Sequence, residues 1–277
     1  MNSKSGDQAF AGSIPELYQR YLVPLIFQPY AADLARRVAR RNPQHVLEVA
    51  AGTGVVTREI TRVLPPEVRI TATDLNQPML DQAIATGTSR PVKWEQADAL
   101  QLPFPDESFD VVACQFAAMF FSDKAKAFAE ARRVLRPGGF YIFSVWDCLE
   151  ENEFADMVIR ALAKLLPEKP PDFLSKLPHG YHEPAVILRD LAAGGFEQPA
   201  DYTTVRRQSK AESARTVAIA YCQGTPLRNK IESADPDTKS GKRHALAARL
   251  SWQGCLRLRL PRHPRRRDPA VCDFPPR

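Results

Sequence analysis

No stretch of the 277-residue chain approaches the roughly 20 consecutive apolar residues of a bilayer-spanning helix, so no membrane span is expected. Met1 to Asp7 are polar and carry no apolar signal region, so secretion is not expected either. Cysteine is sparse. Cys114, Cys148, Cys222, Cys255 and Cys272 are odd in number, form no Cys-x-x-Cys and have no histidine cluster beside them. Neither a disulfide framework nor a metal site is indicated, and a reducing, cytoplasmic setting fits. No internal repeat is present.

Charge, by contrast, is present and unevenly placed. The formal net charge is +6, which alone would suggest a nucleic-acid partner. Residues 257–277 hold seven arginines against Asp268 and Asp273, a net of +5. The first 256 residues therefore carry about +1, and the body gives no reason to expect nucleic acid.

That body alternates short apolar runs with helical patterns, the signature of βα units around a parallel sheet. Strands are expected at 44–50, 68–73, 92–96, 109–115 and 140–146. Helices are expected at 55–64, with Val56, Ile60, Val63 and Leu64 on one stripe, at 77–86, and at 123–135 with Ser122 as cap. Ahead of this lies a helical segment from Tyr18 to Ile26, interrupted by Pro24 and Pro29, and a helix at 30–41. After it come a helix at 153–166, a proline-punctuated loop or lid to Glu183, and a helix at 184–193. A strand at 200–207 and a helix at 212–222 follow.

Glu48-Val-Ala50-Ala-Gly52-Thr-Gly54 sits where the first strand meets a helix. Glycines there let the backbone turn tightly and approach a bound molecule, leaving helix N-terminal N–H groups free. Asp74, twenty residues past Gly54, closes the next strand, where a carboxylate can accept from both hydroxyls of a ribose. A dinucleotide fingerprint would need a third glycine where Thr57 stands. A carboxylate at Glu48 also suits an ammonium group better than a pyrophosphate. A nucleoside-type ligand carrying an amino group is the better reading.

Together with Ala97-Asp98-Ala99, Phe109-Asp110-Val111-Val112 and Arg133 to Gly139, these motifs resemble class I S-adenosylmethionine-dependent methyltransferases. Within that class they are most similar to the group containing the ubiquinone and menaquinone biosynthesis methyltransferases. The resemblance covers about residues 15–230. It departs at Ala50, where the family has the first glycine of its loop. It implies a Rossmann-like, doubly wound, mostly parallel α/β sheet, with the final antiparallel strand in doubt. Residues 1–42 would be a helical cap segment, 43–250 the methyltransferase domain with an insertion at about 150–183, and 251–277 a basic, disordered tail.

The resemblance also implies the site. S-adenosyl-L-methionine would be the cofactor, with Ala50, Gly52 and Gly54 against its methionine part and Glu48 near the ammonium group. Asp74 would take the ribose hydroxyls, Leu75 and Met79 would flank the adenine, and Asp98 and Ala99 would bond it. Gln115 and Phe116 would border the sulfonium. Met79 and Phe116 read equally well as core, while a turn residue is the lesser reading of Asp98. Arg133 reads as a structural ion-pair partner.

Methyl transfer from a sulfonium needs alignment and exclusion of water more than a strong base. The Asn/Asp-Pro-Pro-aromatic motif used on amide-like nitrogens is absent. The aromatic and methionine-rich run after Gln115 could line a pocket for a small apolar or aromatic acceptor, methylated on oxygen or carbon, or could pack the core. Candidate bases are His179, His182 and Tyr21, with Tyr18, Tyr181 and Glu183 beside them. Each also reads as a residue without a catalytic task. A cofactor-binding protein without activity, and an enzyme acting on RNA or protein through the basic arm, are the alternatives. Cys255 to Leu260 alternates, but Arg257 and Arg259 would be costly in an inner strand. A shift of reading frame after about Ala248 would explain that change of composition.

Overall fold

In the computed structural model the described residues are 10–196, 201–234 and the strand 270–274. Five parallel strands form the centre: β1 (His45–Glu48), β2 (Arg69–Asp74), β3 (Lys93–Gln96), β4 (Phe109–Gln115) and β5 (Leu135–Ser144). Their order is β3-β2-β1-β4-β5, so the chain reverses direction of growth between β1 and β4. In sheets of this kind the crevice at that switch point, outside the strands' C-terminal ends, is where ligands bind. β6 (Asp201–Thr204) and β7 (Ala270–Phe274) extend the sheet in the order β5-β7-β6, with β7 antiparallel to both neighbours. Five residues of the tail thus form a strand where disorder was expected. Cys255 to Leu260, whose alternation was weighed as a last strand, lies outside the described residues.

The helices are α1 (Ile14–Leu17), α2 (Gln28–Ala39), α3 (Val55–Val63), α4 (Gln77–Thr86), α5 (Lys124–Val134), α6 (Glu153–Leu165), α7 (Phe173–Lys176), α8 (Pro184–Ala193), α9 (Ala214–Gln223) and α10 (Leu227–Ala234). Pro78 and Pro184 sit in the first turns of α4 and α8, where the missing N–H is no loss. β1 and β4 are covered on both faces: Val46, Leu47, Val111, Val112, Ala113 and Cys114 are fully buried.

Several expectations are corrected. Val63 is 42% exposed and does not share the buried stripe of Val56, Ile60 and Leu64. The cap of α5 is Asp123, whose carboxylate accepts from the Lys126 N–H at 2.9 Å, and not Ser122. A carboxylate also complements the positive end of the helix. Most consequentially, Pro24 and Pro29 do not interrupt the N-terminal segment. Tyr18–Phe27 is a wide, π-type helical turn running directly into α2. Its i→i+5 spacing, seen in the Gln28 N–H donating to the Val23 carbonyl, skips the i→i+4 ladder that Pro24 would have broken. Leu22, Val23, Leu25 and Phe27 bury one face of this segment, so packing sustains the unusual geometry.

Candidate functional site

The loop after β1 is built on three alternate departures from ordinary backbone. Ala50, Gly52 and Gly54 have φ of +54°, +57° and +79°. Gly54 has a second constraint: a Cβ there would lie 2.9 Å from Cη2 of Trp94 and 3.1 Å from Cβ of Ala83. Ala50 bears the Cβ that this region disfavours, at a cost of about 1–2 kcal/mol. Arg58 ties the loop down by donating to the Thr53 carbonyl at 2.7 Å and to Oε1 of Gln19 at 3.1 Å.

Asp74 closes β2 and faces this loop. Its Oδ2 accepts from the Gly52 N–H and its Oδ1 from the Asn76 N–H, both at 2.8 Å. A carboxylate has about four lone-pair directions, so two backbone donors orient the group and leave acceptor capacity toward the cleft. Burial raises the carboxyl's pKa, and the bonds from Asn76 and Gly52 work against that rise. Glu48, at the end of β1, is buried and accepts from the Thr57 hydroxyl at 2.5 Å. Burial pushes its pKa up to about 8, with Thr57 and Arg58 opposing and Asp74 reinforcing.

In front of these groups opens a cleft of about 1240 Å³. Ala50, Gly52, Asp74, Leu75, Met79, Gln115 and Phe116 all line it. Glu48 and Gly54 lie behind that wall. Asp98 and Ala99 are not on it: Asp98 is half-buried, its Oδ1 accepting from the Leu100 N–H at 2.9 Å. Among the candidate bases His179 and Tyr18 border the cleft. His182 donates from Nδ1 to the His179 carbonyl at 2.9 Å, and its Nε2 lies 3.2 Å from Oε1 of Glu183. Tyr21 packs with Arg20 over its ring and is off the wall. Arg133 is a staple, bonded to Glu130, to Asp106 and to the carbonyls of Leu102 and Phe104.

The far side of the cleft is aromatic. Phe116 and Trp146 stack with centroids 3.7 Å apart and planes within 5°. Tyr30 stands edge-on to both, at 5.2 and 5.5 Å, and Phe27 lies within 5.9 Å of each. Phe116 has φ of +51°, held there by its N–H donating to the Ser144 carbonyl at 2.9 Å. Strain of about 1–2 kcal/mol at this position is maintained by the surrounding packing, a pattern concentrated at functional sites. Tyr18 stacks on Phe27 at 5.1 Å, and burial and the charge of Asp74 both raise its phenol's pKa, keeping it a hydrogen donor. Sequence reasoning gave Phe27, Tyr30 and Trp146 no role. Phe27 and Tyr30 lie three residues apart on one continuous helical segment, but Trp146 comes from beyond β5 and no local spacing links it to them.

The residues fit the cofactor that the motifs imply. The side-chain-free backbone at Gly52 faces an oriented carboxylate at Asp74 suited to a ribose, and a buried carboxyl at Glu48 has no protein cation bonded to it among the described residues. This fold and this site resemble those of a methyltransferase domain over the central part of the chain. Residues 47–143 match the family described as "Methyltransferase domain". The chain is 39% identical over 103 residues to the ubiquinone/menaquinone biosynthesis C-methyltransferase UbiE of Saccharophagus degradans, covering 36% of this chain and 41% of that one. It is 35% identical over 136 residues to the demethylmenaquinone methyltransferase of Deinococcus radiodurans, covering 48% and 56%. The chain thus spans about half the length of these curated relatives. In fold it is similar to the YcgJ protein of Bacillus subtilis, with a TM-score of 0.53, 19% identity, and coverage of 90% of this chain and 99% of that one.

Proposed function

We propose that the protein is an S-adenosylmethionine-dependent methyltransferase acting on oxygen or carbon of a small aromatic molecule. The observation that carries this is the Gly52–Asp74 cradle opening into a cleft walled by Phe116, Trp146 and Tyr30. The volume of about 1240 Å³ exceeds the roughly 300–1,000 Å³ of ordinary single-ligand pockets, leaving space for a second molecule beside the cofactor. The names of the curated relatives favour a quinone-type ring and a carbon atom. The free thiols of Cys114 and Cys148 suit a reducing setting.

Bound there, S-adenosylmethionine would supply an electrophilic methyl group on a sulfonium. The chain's own work is alignment. Asp74 would hold the ribose, Glu48 would compensate the ammonium group, and Gly52 would permit the backbone's approach. Leu75 and Met79 would flank the base, while Gln115 and Phe116 would border the reacting end. The aromatic wall excludes water and presents ring faces to a flat acceptor.

Thermal stabilisation by S-adenosylmethionine and S-adenosylhomocysteine tests the binding half. At 100-fold excess over Kd either should add about 2.7 kcal/mol. Asp74→Asn should weaken binding by about 10- to 100-fold, the loss of charge-assisted hydrogen bonds. No stabilisation of the wild type ends the reading. Stabilisation without methyl transfer to any hydroxylated ring leaves a binding protein without activity.

A further inference from the structure

His179 is the histidine on the cleft wall, and its environment is unusually determined. It is only 6% exposed. Its Nδ1 lies 2.9 Å from the Asp147 carbonyl oxygen, which can only accept, so Nδ1 carries the proton. The lone pair is therefore on Nε2, which has no hydrogen-bond partner among the described residues. The backbone around it is fixed from three sides. The His179 N–H donates to the Leu174 carbonyl at 3.0 Å, the His179 carbonyl accepts from Nδ1 of His182, and a Cβ at Gly180 would strike the Lys176 carbonyl. The ring lies 6.1 Å from that of Trp146, which stacks directly on Phe116 at the end of β4.

The geometry points to His179 Nε2 as the general base that removes the acceptor's proton during methyl transfer. This rests on the methyltransferase reading above. In the step, an electron pair of the acceptor forms the new bond to the methyl carbon. The bond from that carbon to sulfur breaks with its pair left on sulfur, and the acceptor's O–H or ring C–H proton passes to Nε2. Charge balances: the sulfonium's positive charge ends on the imidazolium, which returns the proton to water.

The local chemistry also sets when the proton leaves. Burial lowers the ring's pKa to about 4, opposed by the Asp147 carbonyl and reinforced by His182, with Asp147 and Glu150 favouring protonation. So weak a base is badly matched to deprotonating a phenol beforehand. It is well matched to a proton that becomes strongly acidic only as the methyl arrives, on an oxonium or on a cationic ring carbon. The same burial keeps the ring neutral at working pH.

The test uses the full chain with 1,4-naphthohydroquinone and catechol as acceptors. His179→Asn keeps an amide donor for the Asp147 carbonyl and removes Nε2, while His179→Gln places a non-basic amide near it. Both should keep S-adenosylhomocysteine-induced stabilisation within about twofold in affinity. Both should lose about 10²–10⁴-fold in kcat with acceptor KM changed less than threefold, and His179→Ala should regain part of its rate with added imidazole. Ring ¹⁵N resonances of His179 should report the Nδ1-protonated neutral form, with Nε2 shifting when 1,4-naphthohydroquinone joins S-adenosylhomocysteine. A kcat within threefold of wild type in the Asn and Gln variants overturns the assignment. So does an Nε2 resonance unmoved by the acceptor, or a wild type that binds the cofactor yet methylates neither ring. A wild type not stabilised by the cofactor at all overturns the underlying reading as well, and thermal shift separates the two failures.

Discussion

The carboxyl of Glu48 and the hydroxyl of Thr57 meet at 2.5 Å in the buried space between β1 and α3. One hydroxyl does not replace the solvation that the carboxylate loses, so the group stays protonated up to about pH 8. An ammonium group arriving nearby would supply the missing counter-charge and expel the proton. Calorimetric titration with S-adenosylhomocysteine at pH 7 in buffers of different ionisation enthalpy should therefore show close to one proton released. Glu48→Gln should release none.

The same shift affects the ligand-free protein. The folded state binds a proton at Glu48 that the unfolded state gives up near 4.5, so this contribution to stability falls as pH rises from about 4.5 to about 8. His179 works in the opposite sense. The unfolded chain takes a proton near 6.5 and the folded chain only near 4, so its contribution is full above about 6.5 and is lost as pH falls toward 4. The loss is about 3 kcal/mol at most. Urea denaturation of His179→Asn and Glu48→Gln across pH 4–8 should reveal the two opposed slopes, each variant lacking one.

Ala50 occupies a backbone conformation in which its Cβ is unfavourable. Ala50→Gly should stabilise the protein by about 1 kcal/mol after the extra chain entropy of glycine is deducted. That corresponds to a rise in Tm of about 2–4 °C, readable by calorimetry. A fall in Tm would show that the Ala50 methyl makes contacts worth more than the strain.

What could be read from the sequence was whatever is encoded locally. Gln77–Thr86, Phe109–Gln115 and Pro184–Ala193 have the expected bounds because apolar period, a first-turn proline or a flanking glycine marks each of them. The cradle was legible for the same reason: glycines and Asp74 carry their chemistry in their positions along the chain. The aromatic wall was not, because Phe27, Phe116 and Trp146 meet only after the sheet has formed. Pro24 misled because a proline's usual effect assumes an i→i+4 ladder, which packing here replaced with a wider one. Leu227–Ala234 was passed over: its charged surface hides a short apolar stripe of Leu227 and Ile231. Ser122 followed from reading the helix as starting at Asp123, one residue early, and a one-residue difference of this kind is decided by backbone dihedrals.

The wide helical turn at Tyr18–Phe27 also has a consequence for biosynthesis. Phe27 and Tyr30 leave the ribosome on the order of ten seconds before Trp146 at ordinary elongation rates. For that interval a segment that ends as a wall of the cleft has neither the ring it packs on nor the sheet that carries it. Leu22, Val23, Leu25 and Phe27 of the nascent chain thus stay exposed until the strands that bury them have been made.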